Sequence, residues 1–235
     1  MDAIAGTDPF IMMADGKGWL YSPAGLLDGP MPTHYEPFES PVANLLYPEV
    51  GSNPAALTWN RPENPAHPRG DPRYPVVATT FRLTEHHTAG GMSRNLPWLT
   101  ELQPEMFAEI DPILAAQHGI EDGGWMVVET ERAEIEARAR VTERMRPLRV
   151  DGQQVHQVAL PWHWGFGMRS RGDSANDLGM IVADPNVSIQ ADKAFTCNVR
   201  AGRRTGETTE KLKGVHTASR TDPEHDAPSE DTATS

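Results

Sequence analysis

Trp125-Met126-Val127-Val128-Glu129-Thr130, a break at Glu131-Arg132-Ala133, and then Glu134-Ile135-Glu136-Ala137-Arg138-Ala139-Arg140-Val141 is the stretch that decides the fold. Two runs of strand-forming residues joined by a short polar break predict a β-hairpin. In the second run Ile135, Ala137, Ala139 and Val141 point one way, and Glu134, Glu136, Arg138 and Arg140 the other. Strict alternation puts one face of a strand on a core and the other in water. On that reading Glu134 and Glu136 are solvated and not catalytic.

Working outward, the neighbouring segments read the same way. Pro75-Val76-Val77-Ala78-Thr79-Thr80-Phe81-Arg82-Leu83 predicts a buried, proline-bounded strand, and Glu105 to Ile110 a second, alternating one. Pro112 to Gly119 fits a short helix, with Asp111 as N-cap, Pro112 at the first position and Gly119 at the stop. Val155 to Leu160 and Phe195 to Val199 are further strand candidates. Short strands around one or two helices predict a mostly β (α+β) fold closed into a barrel over residues 75–204.

The flanks differ in composition. Residues 1–74 are rich in Pro, Gly and Asn, which break helices and ladders, and predict an extended arm lying on something else. Residues 205–235 are Thr-, Ser-, Asp- and Glu-rich with few large apolar side chains, and predict a disordered acidic tail.

The whole chain bounds the function. A hydrophobic share of 38% with 20 Gly and 21 Pro implies many loops. A formal charge of -12 argues against a nucleic-acid binder, which needs a basic face. The single cysteine, Cys197, excludes an internal disulfide, a CxxC-type zinc site and an iron–sulfur cluster held by this chain alone. It lies in an apolar strand and reads as a small buried hydrophobe. No apolar run approaches the roughly 20 residues that span a bilayer. Met1 to Gly6 lacks a signal-peptide pattern, so the chain reads as cytoplasmic.

Three segments carry candidate chemistry. Arg82-Leu83-Thr84-Glu85-His86-His87-Thr88-Ala89-Gly90-Gly91-Met92-Ser93-Arg94 follows the first strand. Its glycines allow close backbone approach, and its hydroxyls and arginines suit phosphate, though a plain polar turn reads equally well. A metal at His86-His87 is disfavoured, because adjacent histidines diverge and no partner stands at helical spacing. Leu160-Pro161-Trp162-His163-Trp164-Gly165-Phe166-Gly167 suits the wall of a planar heterocycle, or an aromatic cap on the barrel. Gly172 to Leu178 offers Asp, Ser and Asn to the edge of a purine or pterin, but such residues also cap turns.

Read in order, these segments resemble the end of the formate dehydrogenase major (alpha) subunit, in the dimethyl-sulfoxide-reductase superfamily. The matching strings begin with His34-Tyr35-Glu36-Pro37-Phe38-Glu39-Ser40-Pro41, the long string from Arg82 to Arg94, and Leu99 to Glu105. Pro161 to Gly165, Ala175 to Leu178, Asp184 to Ser188 and Lys193 to Cys197 complete the match. The resemblance covers residues 4–204. It implies a double-psi β-barrel that binds bis-molybdopterin guanine dinucleotide carrying molybdenum or tungsten. It assigns Arg82, Thr84, His86, His87, Thr88, Gly90, Gly91, Met92 and Ser93 to dinucleotide contact. It assigns His163, Trp164, Gly165, Ser174 and Asn176 to the pterin and guanine ends.

The family's iron–sulfur motif, its selenocysteine or cysteine metal ligand and its catalytic His and Arg have no counterpart here. Neither catalytic nor metal-ligating residues are therefore expected on this chain. The implied partner is the amino-terminal part of the large subunit. Relatives of this type also assemble with an iron–sulfur beta subunit and a cytochrome b gamma subunit, and intact ones are periplasmic and membrane-associated. The alternatives are a stand-alone dinucleotide-binding module and a truncated gene product without a role of its own.

Overall fold

The computed structural model describes residues 26–205 except Pro32, Phe166 and Asp192. The predicted tail lies outside the described residues apart from Thr205, as do residues 1–25 of the arm. In chain order the strands are β1 (Leu57–Thr58), β2 (Val76–Phe81), β3 (Phe107–Ile110), β4 (Trp125–Glu129) and β5 (Glu134–Val141). They continue with β6 (Leu148–Val150), β7 (Gln153–Val155), β8 (Gln157–Pro161), β9 (Val182–Ala183) and β10 (Ala194–Ala201). Two short helices, α1 (Pro97–Leu102) and α2 (Pro112–Gln117), fall on either side of β3.

Six strands close a barrel in the order β10-β2-β8-β3-β5-β4. The β2–β8 and β3–β5 pairs are parallel, and the other barrel pairs are antiparallel. The hairpin forms as the alternation predicts, with Val128 opposite Ile135 and Met126 opposite Ala137. Ile135, Ala137 and Ala139 enter a core with Val76, Ile110, Met126, Val158, Leu160 and Val199. Each large aliphatic side chain sealed there contributes roughly 1.5–3 kcal/mol. Asp111 caps α2 as expected, accepting from Ile113 N and Leu114 N at 2.9 Å. Its other oxygen meets His156 Nδ1 at 2.8 Å, which ties the helix to the start of β8.

Two expectations need correction. The outward face of β5 is not simply solvated. Glu136 is only 9% exposed and pairs with Arg203 at 3.1 Å and with Arg204, while Glu134 meets Arg200 at 3.0 Å. The segment after β10 returns over that face and covers it. The arm also finds its support within the chain. Glu39 takes both guanidinium nitrogens of Arg132, at 2.6 and 3.0 Å, with side chains 1% and 3% exposed. His67 contacts Thr196 Oγ1 on β10, and its Nδ1 lies 3.3 Å from Glu39 Oε1 without hydrogen-bond alignment. Asn64 bonds Ile181 in both directions, and β1 pairs with β9. The described arm is a strap on its own barrel.

Candidate functional site

The barrel's topology builds the site. In the parallel β2–β8 pair Thr80 stands opposite Leu160 and Phe81 opposite Pro161. The loops that leave these strands therefore emerge side by side at one end, where open parallel sheets commonly place ligands. These are the two segments singled out from Arg82 and from Trp162.

Buried polar contacts lock the two loops together. His163 is 1% exposed and uses both ring nitrogens. Leu83 N–H donates to Nε2 at 2.8 Å, so the ring proton sits on Nδ1 and is donated to the Thr88 carbonyl. Burial, and less strongly the neighbouring His86, Arg82 and His87, holds the imidazole below its ordinary pKa despite the opposing Thr88 bond. A neutral ring is what a nitrogen that accepts from a backbone amide requires. Thr88 sits in the left-handed region (φ 47°), a conformation this clamp holds in place.

Arg94 makes the second bolt. It is 3% exposed, and its Nη1 donates to the carbonyls of Gly165, Gly167 and Ser170 at 3.1, 3.0 and 2.8 Å. Gly90 must be glycine, with φ +77° and a Cβ position 2.0 Å from the His163 carbonyl and 2.8 Å from Arg94 Nε. Ser93 Oγ accepts the His87 N–H at 3.0 Å and lies 3.2 Å from His86 Nδ1. Trp164 Nε1 donates to Ser170 Oγ at 3.0 Å, and its indole meets the His86 ring edge-on at 5.0 Å. Gly172 lets the chain pass the same indole, since a Cβ there would come within 2.9 Å of it.

The residues proposed from sequence thus divide. His86, Gly90, Ser93, His163 and Trp164 lie inside the loop pair and shape it. Arg82, Thr84, His87, Thr88, Gly91 and Met92 are exposed on its outer side. Gly165 and Ser174 are half-buried, and Ser174 Oγ accepts the Asn176 N–H at 3.2 Å. Asn176 itself lines a cavity of about 280 Å³ with Thr80, Trp162, Gln190, Lys193 and Phe195. Sequence reasoning placed Trp162 in the candidate aromatic wall without giving it a contact of its own, and did not assign Gln190 or Lys193 to the site. Trp162 carries two cations, with Arg82 Cζ at 5.0 Å and Lys193 Nζ at 4.8 Å from its ring centroid. A second cavity, of about 300 Å³, lies along the seam with the arm, and Lys193 borders both.

An aromatic face with two cations and amide side chains suits a heterocyclic base and its phosphates. The chain offers no thiolate to a metal. Cys197 is fully buried, and desolvation, reinforced by Glu39 and Glu129, drives its thiol far above the ordinary range. The described residues fit the organic part of a pterin dinucleotide. When bound, such a cofactor supplies redox chemistry that the protein positions and tunes.

A match to known proteins agrees. Residues 76–195 match the model of the Molydopterin dinucleotide binding domain family, and the chain belongs to that family. It is 42% identical over 199 residues to formate dehydrogenase subunit alpha of Megalodesulfovibrio gigas, covering 84% of this chain and 19% of that one. It is 40% identical to formate dehydrogenase 2 subunit alpha (cytochrome c-553) of Nitratidesulfovibrio vulgaris, covering 85% of this chain and 20% of that one. With the nitrate-inducible formate dehydrogenase major subunit of Escherichia coli K12 the identity is 42%, over 82% of this chain and 19% of that one. The chain is a molybdopterin-dinucleotide-binding domain of formate dehydrogenase-like proteins, and it spans about a fifth of the length of these relatives. No helix of the described residues is long and apolar enough to cross a membrane.

Proposed function

We propose that this chain is the dinucleotide-binding portion of a formate dehydrogenase, and that it holds part of a bis-molybdopterin guanine dinucleotide carrying molybdenum or tungsten. The observation that carries the reading is the locked loop pair beside the Trp162 cavity, with Arg82 and Lys193 over the indole. In this reading the exposed backbone and hydroxyls of Thr84, Thr88 and Gly91 and the Arg82 guanidinium meet the phosphates. Trp162 and Asn176 meet a heterocycle. The His163 clamp fixes where those groups stand, so the ligand meets a preformed surface.

The chain works in this account with a polypeptide equivalent to the remaining four-fifths of its relatives, which supplies the iron–sulfur cluster and the formate-oxidising residues. Purified chain is expected to give no formate-dependent dye reduction by itself, and to restore it to a preparation holding the rest of an alpha subunit. Dye reduction by the chain alone would overturn the assignment.

A further inference from the structure

Among the described residues Arg94, Arg132 and Arg204 carry largely buried guanidinium groups, and they are not treated alike. Arg132 is met by both oxygens of Glu39. Arg204 is met by Asp173 at 2.9 Å and by Glu136. Arg94 has no carboxylate partner among the described residues. Carbonyl oxygens receive its Nη1, and its buried Nε has no acceptor among the described residues. A cation taken out of water without a counter-ion is strongly disfavoured unless something offsets it. Carbonyl dipoles do so in part. An anion arriving from outside would complete it.

The position of Arg94 says where that anion would come. A Cβ on Gly90 would stand 2.8 Å from Arg94 Nε, and the next two residues, Gly91 and Met92, are exposed on the outer side of the loop. The uncompensated charge therefore lies one layer beneath the outer turn of this loop. A buried charge is screened by salt less than an exposed one.

We propose that Arg94, besides positioning the loop pair, uses its buried and uncompensated charge to favour a phosphate-bearing ligand over a neutral one there. The proposal rests on the reading that this loop pair receives a nucleotide. It separates two roles that a simple truncation would confuse, holding the 165–170 loop in place and biasing the site toward anions.

The test compares guanosine diphosphate with guanosine, titrated into the full chain and followed by NMR chemical shifts. Arg94→Met, which removes the charge and keeps much of the stem, should weaken diphosphate binding by about tenfold. Guanosine reports only the loss of the three carbonyl bonds, so its affinity should fall by less than that of the diphosphate and the preference between the two should shrink. Arg94→Lys keeps the charge but cannot span three carbonyls, so it should retain most of the preference for the diphosphate. Parallel loss of both ligands in Arg94→Met would show a purely structural role and overturn the proposal, as would an unchanged preference. Should Arg94→Met fail to fold, Arg94→Lys decides alone, and loss of the preference there overturns it. Binding of neither ligand to the unmodified chain would instead overturn the nucleotide reading, and this inference with it.

Discussion

Replacing Glu39 with glutamine removes one charge from the seam between strap and barrel and keeps nearly the same shape. In the intact chain that carboxylate accepts two bonds from Arg132 and one from Thr196 N–H at 3.3 Å. Arg132 also donates to the carbonyls of Leu178 and Pro65, each at 2.8 Å. After Glu39→Gln the guanidinium keeps those two carbonyls and loses its only anion among the described residues, in a place where its side chain is 3% exposed. Breaking a buried pair from one side costs about 3–5 kcal/mol, because the orphaned charge stays desolvated. Arg132→Met should cost a similar amount by orphaning the carboxylate. The double variant orphans neither charge, so it should lose about as much as one single change, a coupling of about 3 kcal/mol. Urea unfolding followed by tryptophan fluorescence measures all four chains. Additive losses, or a loss below about 1 kcal/mol for Glu39→Gln, would refute the claim that this pair fastens the strap.

Three further outcomes are expected. Stability should fall as pH drops below about 6.5, since His67 and His163 both have folded pKa values lowered chiefly by burial. The unfolded chain then binds protons the folded one refuses, so their contribution is complete above the unfolded pKa and is lost on acidification; a urea midpoint unchanged between pH 7.5 and 5.5 would count against it. Gly90→Ala should cost about 3 kcal/mol, from its left-handed backbone and the overlap with the His163 carbonyl, whereas Gly91→Ala meets open space and should stay within about 0.5 kcal/mol. Cys197 should react with a thiol reagent only at the rate of global unfolding, and fast labelling of the native chain would show that β10 opens on its own.

Local signals in the sequence were sufficient wherever a segment's own periodicity or capping fixes its structure. The β4–β5 hairpin and the Asp111 cap are of that kind. Helix α1 was not legible, because none of its residues is buried and no apolar stripe marks it, with Trp98 81% and Leu102 69% exposed. The β6–β7 hairpin was missed for a similar reason, having one buried residue to show. The strap's anchors join residues 93 and 129 positions apart, a distance at which adjacency is decided by barrel closure. The site shows the same division. The Gly-rich loop announced itself, but which aromatic ring of Trp162-His163-Trp164 faces the cavity depends on the β2–β8 register. Lys193 and Gln190 join it only because β10 and its approach lie beside β2.

The most direct measurement of the central claim is a guanosine diphosphate titration of the unmodified chain, read residue by residue by NMR. The account expects saturable shifts concentrated at the Trp162 indole, Asn176, Lys193 and the Arg82–Met92 loop, abolished by Trp162→Ala with the fold intact. Saturable binding that leaves those residues unmoved, or no binding at all, would contradict it.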